Sequence, residues 1–156
     1  MKKIHELKFD KQVYGLTTLN NQLYVGYLRC DEIKVFDMKA DKFTQLSSIK
    51  IPQLGCVTDM TSCSRHQRVY IADDDNQVVH RIDNRNEITQ WSDNDTPNGL
   101  SVNSSHNLLV TCDKVGKMKE FTTDGQLIRE IKLQSDIVHP FHTIELTTGQ
   151  FVVSHG

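Results

Sequence analysis

The sequence predicts an all-β chain, a segment of a β-propeller made of four-stranded antiparallel blades. Three observations predict it. Short apolar or alternating runs recur along the whole chain, each closed by Gly, Asn, Asp or Pro, which is the pattern of strands joined by turns. No long stretch of helical periodicity interrupts them. The runs also repeat at a fixed period. Tyr24, Tyr70, Leu109 and Phe151, each early in a second strand, are spaced by 46, 39 and 42 residues. Phe36, Ile82 and Phe121, near the ends of third strands, each follow their partner by 12 residues. A period of about 40–45 residues with four strands per unit is that of a propeller blade. A single such sheet buries both its faces only by stacking on its neighbours. A β-sandwich would explain the strand spacing but not the constant offset.

Each element has its own warrant. Lys3–Phe9 alternates Ile4, Glu6 and Lys8 with His5, Leu7 and Phe9 and reads as a lone strand. Val13–Leu19 and Gln22–Tyr27 flank the turn Asn20-Asn21; Ile33–Asp37 follows, then Phe43–Ile51, which Pro52 ends. Asp59–Cys63, Arg68–Ala72, Val78–Asp83 and Glu87–Trp91 form the next set. In the third, Gly99–Val102 and Asn107–Thr111 are separated by a turn at Asn103–His106. Lys117–Phe121 is then joined to Leu127–Ile131 through Asp124-Gly125, a strong hairpin signal. Thr143–Leu146 and Gln150–Ser154 begin a fourth set. The blade units fall near 13–51, 57–92 and 97–132, with partial units at 3–9 and 141–156. The chain is thus expected to be one propeller domain holding about three full blades of the 4–8 in a propeller. Bare apolar faces are expected near Val13 and Val25 at one end and Phe151 and Val153 at the other. Such faces favour self-association; a compact four-bladed ring closed by Lys3–Phe9 is the alternative.

Composition narrows the function classes. The 156 residues carry 18 Lys and Arg against 20 Asp and Glu, a net charge of −2. That balance gives no electrostatic reason for DNA binding or a polybasic membrane contact. No uncharged apolar run reaches the ~18 residues of a membrane helix, and the basic start MKKIHELKFD lacks the apolar stretch of a signal peptide. A cytoplasmic protein is expected. Cys30, Cys56, Cys63 and Cys112 form no Cys-x-x-Cys pair, so free thiols on or beside strands are expected rather than a zinc site.

Tyr70-Ile-Ala-Asp73-Asp74-Asp75-Asn76-Gln77-Val-Val-His80-Arg81-Ile82 resembles the NHL repeat through Tyr70, Asp73, Asn76 and Ile82. The corresponding places hold Tyr27, Cys30 and Glu32 in the first unit and Cys112, Val115 and Lys117 in the third. The final stretch, His139 to Gly156, is similar to segments of uncharacterised invertebrate proteins with NHL-type propellers, some of whose relatives carry the domain after a tripartite-motif region. The resemblance implies a propeller that commonly has six blades, and a role in binding protein or RNA. Pro97-Asn98-Gly99-Leu100 also resembles a motif of the gluconolactonase and regucalcin-like propellers. There the asparagine helps hold a central divalent metal that activates water for lactone hydrolysis, which makes Asn98 the metal candidate. The other blade entries supply only Asp59 as a central carboxylate, so Asn98-Gly99 reads better as a turn entering a strand.

The remaining clusters read as solvated or structural. Asp73-Asp74-Asp75-Asn76 lacks the glycine and distal glutamate of a calcium loop. His139, His142 and His155 lack a further zinc ligand. Trp91, ending a fourth strand, is expected to pack on a neighbouring blade. Loop residues Arg29, Asp31, Asp73, Asp74, Asp75, Asn76, Asp93, Asp95 and Lys114, with His142 opening an inner strand, are the expected interaction surface. Their mixed charge suits a protein better than RNA, whose capture needs clustered Lys and Arg. The expectation is therefore a non-catalytic binding scaffold for a protein partner, without cofactor or catalytic residues. An RNA-binding NHL module and a metal-dependent lactonase-like hydrolase are the alternatives.

Overall fold

The computed structural model describes residues 6–39 and 43–156. It is an all-β segment of a propeller. The first blade is β1 (Val13–Leu19), β2 (Gln22–Tyr27), β3 (Glu32–Asp37) and β4 (Thr44–Lys50), paired in that order. The second is β5 (Val57–Cys63), β6 (Arg68–Asp73), β7 (Val78–Ile82) and β8 (Ile88–Ser92). The third is β9 (Pro97–Val102), β10 (Leu108–Cys112), β11 (Lys117–Phe121) and β12 (Leu127–Lys132). A two-stranded half-blade, β13 (Pro140–Glu145) and β14 (Phe151–His155), follows. Every pairing is antiparallel. The first strands β1, β5, β9 and β13 are innermost, each packed against the next.

Register explains the constant offset in the sequence. Leu23 pairs with Phe36, Val69 with Ile82 and Leu108 with Phe121. The three units therefore share one second-strand to third-strand ladder. The blades stack through apolar faces. Leu19, Ile33, Ile49, Met60, Ile71 and Ile82 fill the space between the first two. Tyr70, Val79, Leu100, Leu108, Val110 and Phe121 fill the next. Trp91 packs there as expected, with ring centroids 6.3 Å from Tyr70 and 5.9 Å from Phe121. The hairpin turn at Gly125 has φ 83°, and a Cβ there would lie 2.6 Å from the Trp91 ring, so both shape and space require glycine.

The expected end faces need correction. Val25 is fully buried and Val13 half-buried, because Phe9 folds over that side of the first blade, 6.0 Å from the Tyr27 ring and 5.7 Å from Phe36. Phe151 and Val153 lie on the face of β14 that carries the stack of Phe151 under Arg129 of β12, 5.6 Å away. The exposed apolar residues of that hairpin are Phe141, Ile144, Leu146 and Val152 instead. Of the expected lone strand, residues 3–5 lie outside the described residues, and Glu6–Phe9 form no strand. Cys30, Cys56, Cys63 and Cys112 are free thiols. Among the described residues, no helix is long and apolar enough to cross a membrane.

Candidate functional site

All four innermost strands carry a register shift at or beside their first residues: at Val13/Gly15, Val57/Asp59, opposite Thr111/Cys112 in β9, and at Pro140/His142. The extra residue is in turn Tyr14, Thr58, Asn98 and Phe141. Such bulges re-aim the residues around them. The positions that follow, Gly15, Asp59, Gly99 and His142, are equivalent in the repeat. Asp59 and His142 meet there, His142 Nδ1 lying 3.1 Å from Asp59 Oδ2. The same oxygen accepts the Leu100 backbone N–H at 2.8 Å, and Asp59 Oδ1 accepts that of Met60 at 2.8 Å. One carboxylate of the second blade thus holds the third blade's main chain and the half-blade's imidazole. Gly99 makes the reach possible: a Cβ there would lie 2.1 Å from the Phe141 carbonyl oxygen and 3.1 Å from His142 Nδ1.

The carboxylate fixes the ring chemically as well. The hydrogen bond to Asp59 raises the His142 pKa above its ordinary value, against the opposing effect of partial burial. His142 stays partly open, with 42% of its side chain exposed. An imidazole whose Nδ1 is held by a carboxylate is oriented to exchange a proton at Nε2.

A second region is the rim where the β2–β3, β6–β7 and β10–β11 loops and the inter-blade links meet. It is tied together by polar contacts. Asp31 carries an ion pair with Lys50 at 3.9 Å, Lys114 reaches Asp74 of the neighbouring blade at 3.6 Å, and His139 Nδ1 lies 3.1 Å from Asp113. Arg29 and Asp75 stand exposed. The rim is thus a mixed-charge surface spanning the blades.

Two expected surface residues are instead inside. Asp73 is 0% exposed. It accepts hydrogen bonds from the backbone of Gly55 (3.0 Å) and Asn76 (3.2 Å), from Asn76 Nδ2 (2.8 Å) and from His80 Nε2 (3.0 Å). Burial pushes its carboxyl up, but the His80, Asn76 and Gly55 hydrogen bonds outweigh that and leave it below the ordinary value. Asp73 and Asn76, two of the residues that carry the NHL resemblance, therefore hold the β6–β7 turn against the link from the first blade. Asp93, 2% exposed, is likewise internal. Its Oδ1 takes the Lys119 ammonium at 2.9 Å, its Oδ2 the Cys112 thiol at 3.1 Å, and Asp95 takes Lys119 at 2.6 Å. Burial, then Asp93, pushes the Cys112 thiol far above its ordinary value. Asp73 ends β6, where the chain turns into β7, and Asp93 follows β8, where it passes to the next blade. Asn98 is half-buried as the bulge residue of β9, and its neighbour Pro97 accepts a hydrogen bond from Thr58 at 3.1 Å. Among the described residues, no three His, Cys, Asp or Glu side chains are grouped to hold a metal ion. The Asp59–His142 pair spans 83 residues; its signal in the sequence is that both residues open a first strand of the repeat.

No protein-family model matches the chain, and no curated protein does. Solved structures do. The catalytically inactive histidine-to-alanine form of virginiamycin B lyase from Staphylococcus aureus, with quinupristin, superposes with a TM-score of 0.79 at 17% identity, over 98% of this chain and 53% of that one. The hydrazine synthase of Kuenenia stuttgartiensis gives 0.76 at 15% identity, over 98% and 45%. A Lactobacillus plantarum protein gives 0.73 at 15% identity, over 92% and 48%. These likenesses show the propeller fold. The chain spans about half the length of the structures it matches.

Proposed function

We propose that the chain is part of a larger, NHL-like propeller that works as a binding scaffold and engages a protein partner through its rim. One six-bladed domain in the cytoplasm is the corresponding expectation. The observation that carries this reading is the rim itself: loops of successive blades joined by Lys114–Asp74 and His139–Asp113 into one surface bearing both signs of charge. Such a surface complements a protein of mixed charge and repels a polyphosphate chain where its aspartates cluster. The test is cross-linking in cell extract with and without ribonuclease. It compares the natural protein with Asp75→Lys/Lys114→Glu at the rim and Arg85→Glu at the opposite end. A partner lost only with the rim variant, and insensitive to ribonuclease, supports the reading. Capture that the rim variant leaves intact refutes it, and ribonuclease-sensitive capture favours an RNA-binding module.

A second reading rests on the Asp59–His142 pair. A carboxylate-held imidazole near the inner ends of the blades is a general base in search of a substrate, and propellers of this shape include virginiamycin B lyase. On this reading His142 abstracts a proton and Asp59 stabilises the imidazolium; the metal-dependent hydrolase is the companion enzyme alternative. Turnover of virginiamycin B by the protein, abolished in His142→Ala, would favour the lyase. Binding of one divalent ion through Asn98 would favour the hydrolase.

A further inference from the structure

We propose that docking of the half-blade β13–β14 onto the third blade is gated by protonation of His142. This inference is independent of the partner and of any reaction. The three full blades adhere through shared apolar clusters, and among the described residues no such cluster contains a residue of β13 or β14. Side chains tie the half-blade to its neighbours: Thr143 to Ser101 and Thr111, Glu145 to Ser104, His139 to Asp113, His142 to Asp59, and Phe151 under Arg129. Weakening one of these contacts should loosen β13–β14 locally.

His142 is the contact built to respond. Its partner cannot follow the ring, because the Met60 and Leu100 N–H groups hold both Asp59 oxygens. The groups facing His142 are Asp59 from β5, Gly99 and the Leu100 N–H from β9, and the Ser154 hydroxyl from β14, which donates to the His142 carbonyl at 3.4 Å. Asp59 is the charged group acting on the ring, so the charged form is favoured in the docked state. A histidine raised by its partner contributes stability that is fully present below about pH 6.5 and is lost as the pH rises through the raised value. Docking therefore tightens in acid and loosens in mild alkali. Release uncovers the Gly99, Ser101 and Thr111 side of the third blade.

Hydrogen exchange of the natural protein between pH 5.5 and 8.5, corrected for intrinsic rates, tests this. Protection of the amides of residues 141–145 and of Phe151–His155 should fall several-fold across the His142 titration, read in parallel by NMR, while that of β5–β8 stays level. Asp59→Asn and His142→Gln should each flatten the profile. His139→Gln, which removes the other histidine contact, should leave the slope in place. The proposal is overturned by a level profile in the natural protein, by a slope that survives Asp59→Asn or His142→Gln, or by one that His139→Gln abolishes.

Discussion

Lys119→Met should destabilise the protein by about 3–5 kcal/mol at pH 7, the usual result of stripping one partner from a buried ion pair. Lys119 sits in β11 with 5% of its side chain exposed. Its three N–H donors meet three acceptors: Asp93 Oδ1, the Asp93 carbonyl and Asp95 Oδ2. Burial lowers the Lys119 pKa, but the hydrogen bonds to Asp95 and Asp93 overcome this and leave it well above the ordinary value. Methionine keeps the length of the stem and removes all three contacts. Asp93, whose side chain is wholly buried, then keeps only the Cys112 thiol. Burial already holds its carboxyl above the usual value, against the opposing Lys119 and Cys112 hydrogen bonds. Without the ammonium it must rise further. A carboxyl raised in the folded state favours folding below about pH 4 and loses that contribution as pH rises, so the deficit of the variant should grow from pH 4 to 7. Urea denaturation followed by the fluorescence of Trp91, the only tryptophan, reads this directly, since its ring packs between the second and third blades. Lys119→Met/Asp93→Asn should recover part of the loss, because an unpaired amide costs less to bury than an unpaired charge. A loss under about 1 kcal/mol for Lys119→Met, or a double variant no better than the single, would refute the reasoning.

Three further substitutions probe the other contacts. Asp73→Asn removes the acceptor shared by Gly55, Asn76 and His80 and should cost about 3 kcal/mol in the same assay. Because Asp73 is held below its ordinary pKa, the stability it supplies is present above about pH 4 and is lost as the pH falls through the lowered value. Gly99→Ala places a methyl against the Phe141 carbonyl and the His142 backbone and should cost about 1–3 kcal/mol, seen first as lost exchange protection in β13–β14. Asp124→Ala should change thermal stability by less than about 1 kcal/mol. Its carboxylate is 67% exposed, and the Arg68 and Arg81 guanidiniums keep the Thr123 carbonyl at 2.7 and 3.0 Å.

What was legible in the sequence follows from what periodicity records. Val13–Leu19, Gln22–Tyr27 and Lys117–Phe121 are strands over the very ranges their patterns indicate. The 12-residue offset is a ladder register, fixed by covalent spacing on two adjacent strands. The starts of β5, β9 and β13 are earlier than alternation predicts, at Val57, Pro97 and Pro140. Each includes a bulge, and an extra residue breaks the period of two that alternation relies on. Polarity misplaced Asp73 and Asp93 for a related reason. A charged residue in a turn or strand reads as solvated until its partner is known, and Lys119 lies 26 residues from Asp93.

The bulges join the fold to the candidate site. A regular inner strand would alternate its side chains between its two faces throughout. One extra residue near each start breaks that alternation in all four strands at the same level. Where the following residue is glycine, as at Gly15 and Gly99, neighbouring strands approach closely: Met60 lies 2.5 Å from the place of a Gly15 Cβ, and the β13 backbone 2.1 Å from that of Gly99. Where it is Asp59 or His142, the space that Gly99 leaves open between them is crossed by a hydrogen bond. The sequence of the repeat at this level, glycine, aspartate, glycine, histidine, is thus both a packing rule and a polar circuit. Replacing Gly99 should damage the circuit while both Asp59 and His142 are kept. That separates this arrangement from an accidental surface pair, in which the backbone of the strand between the two residues would be irrelevant.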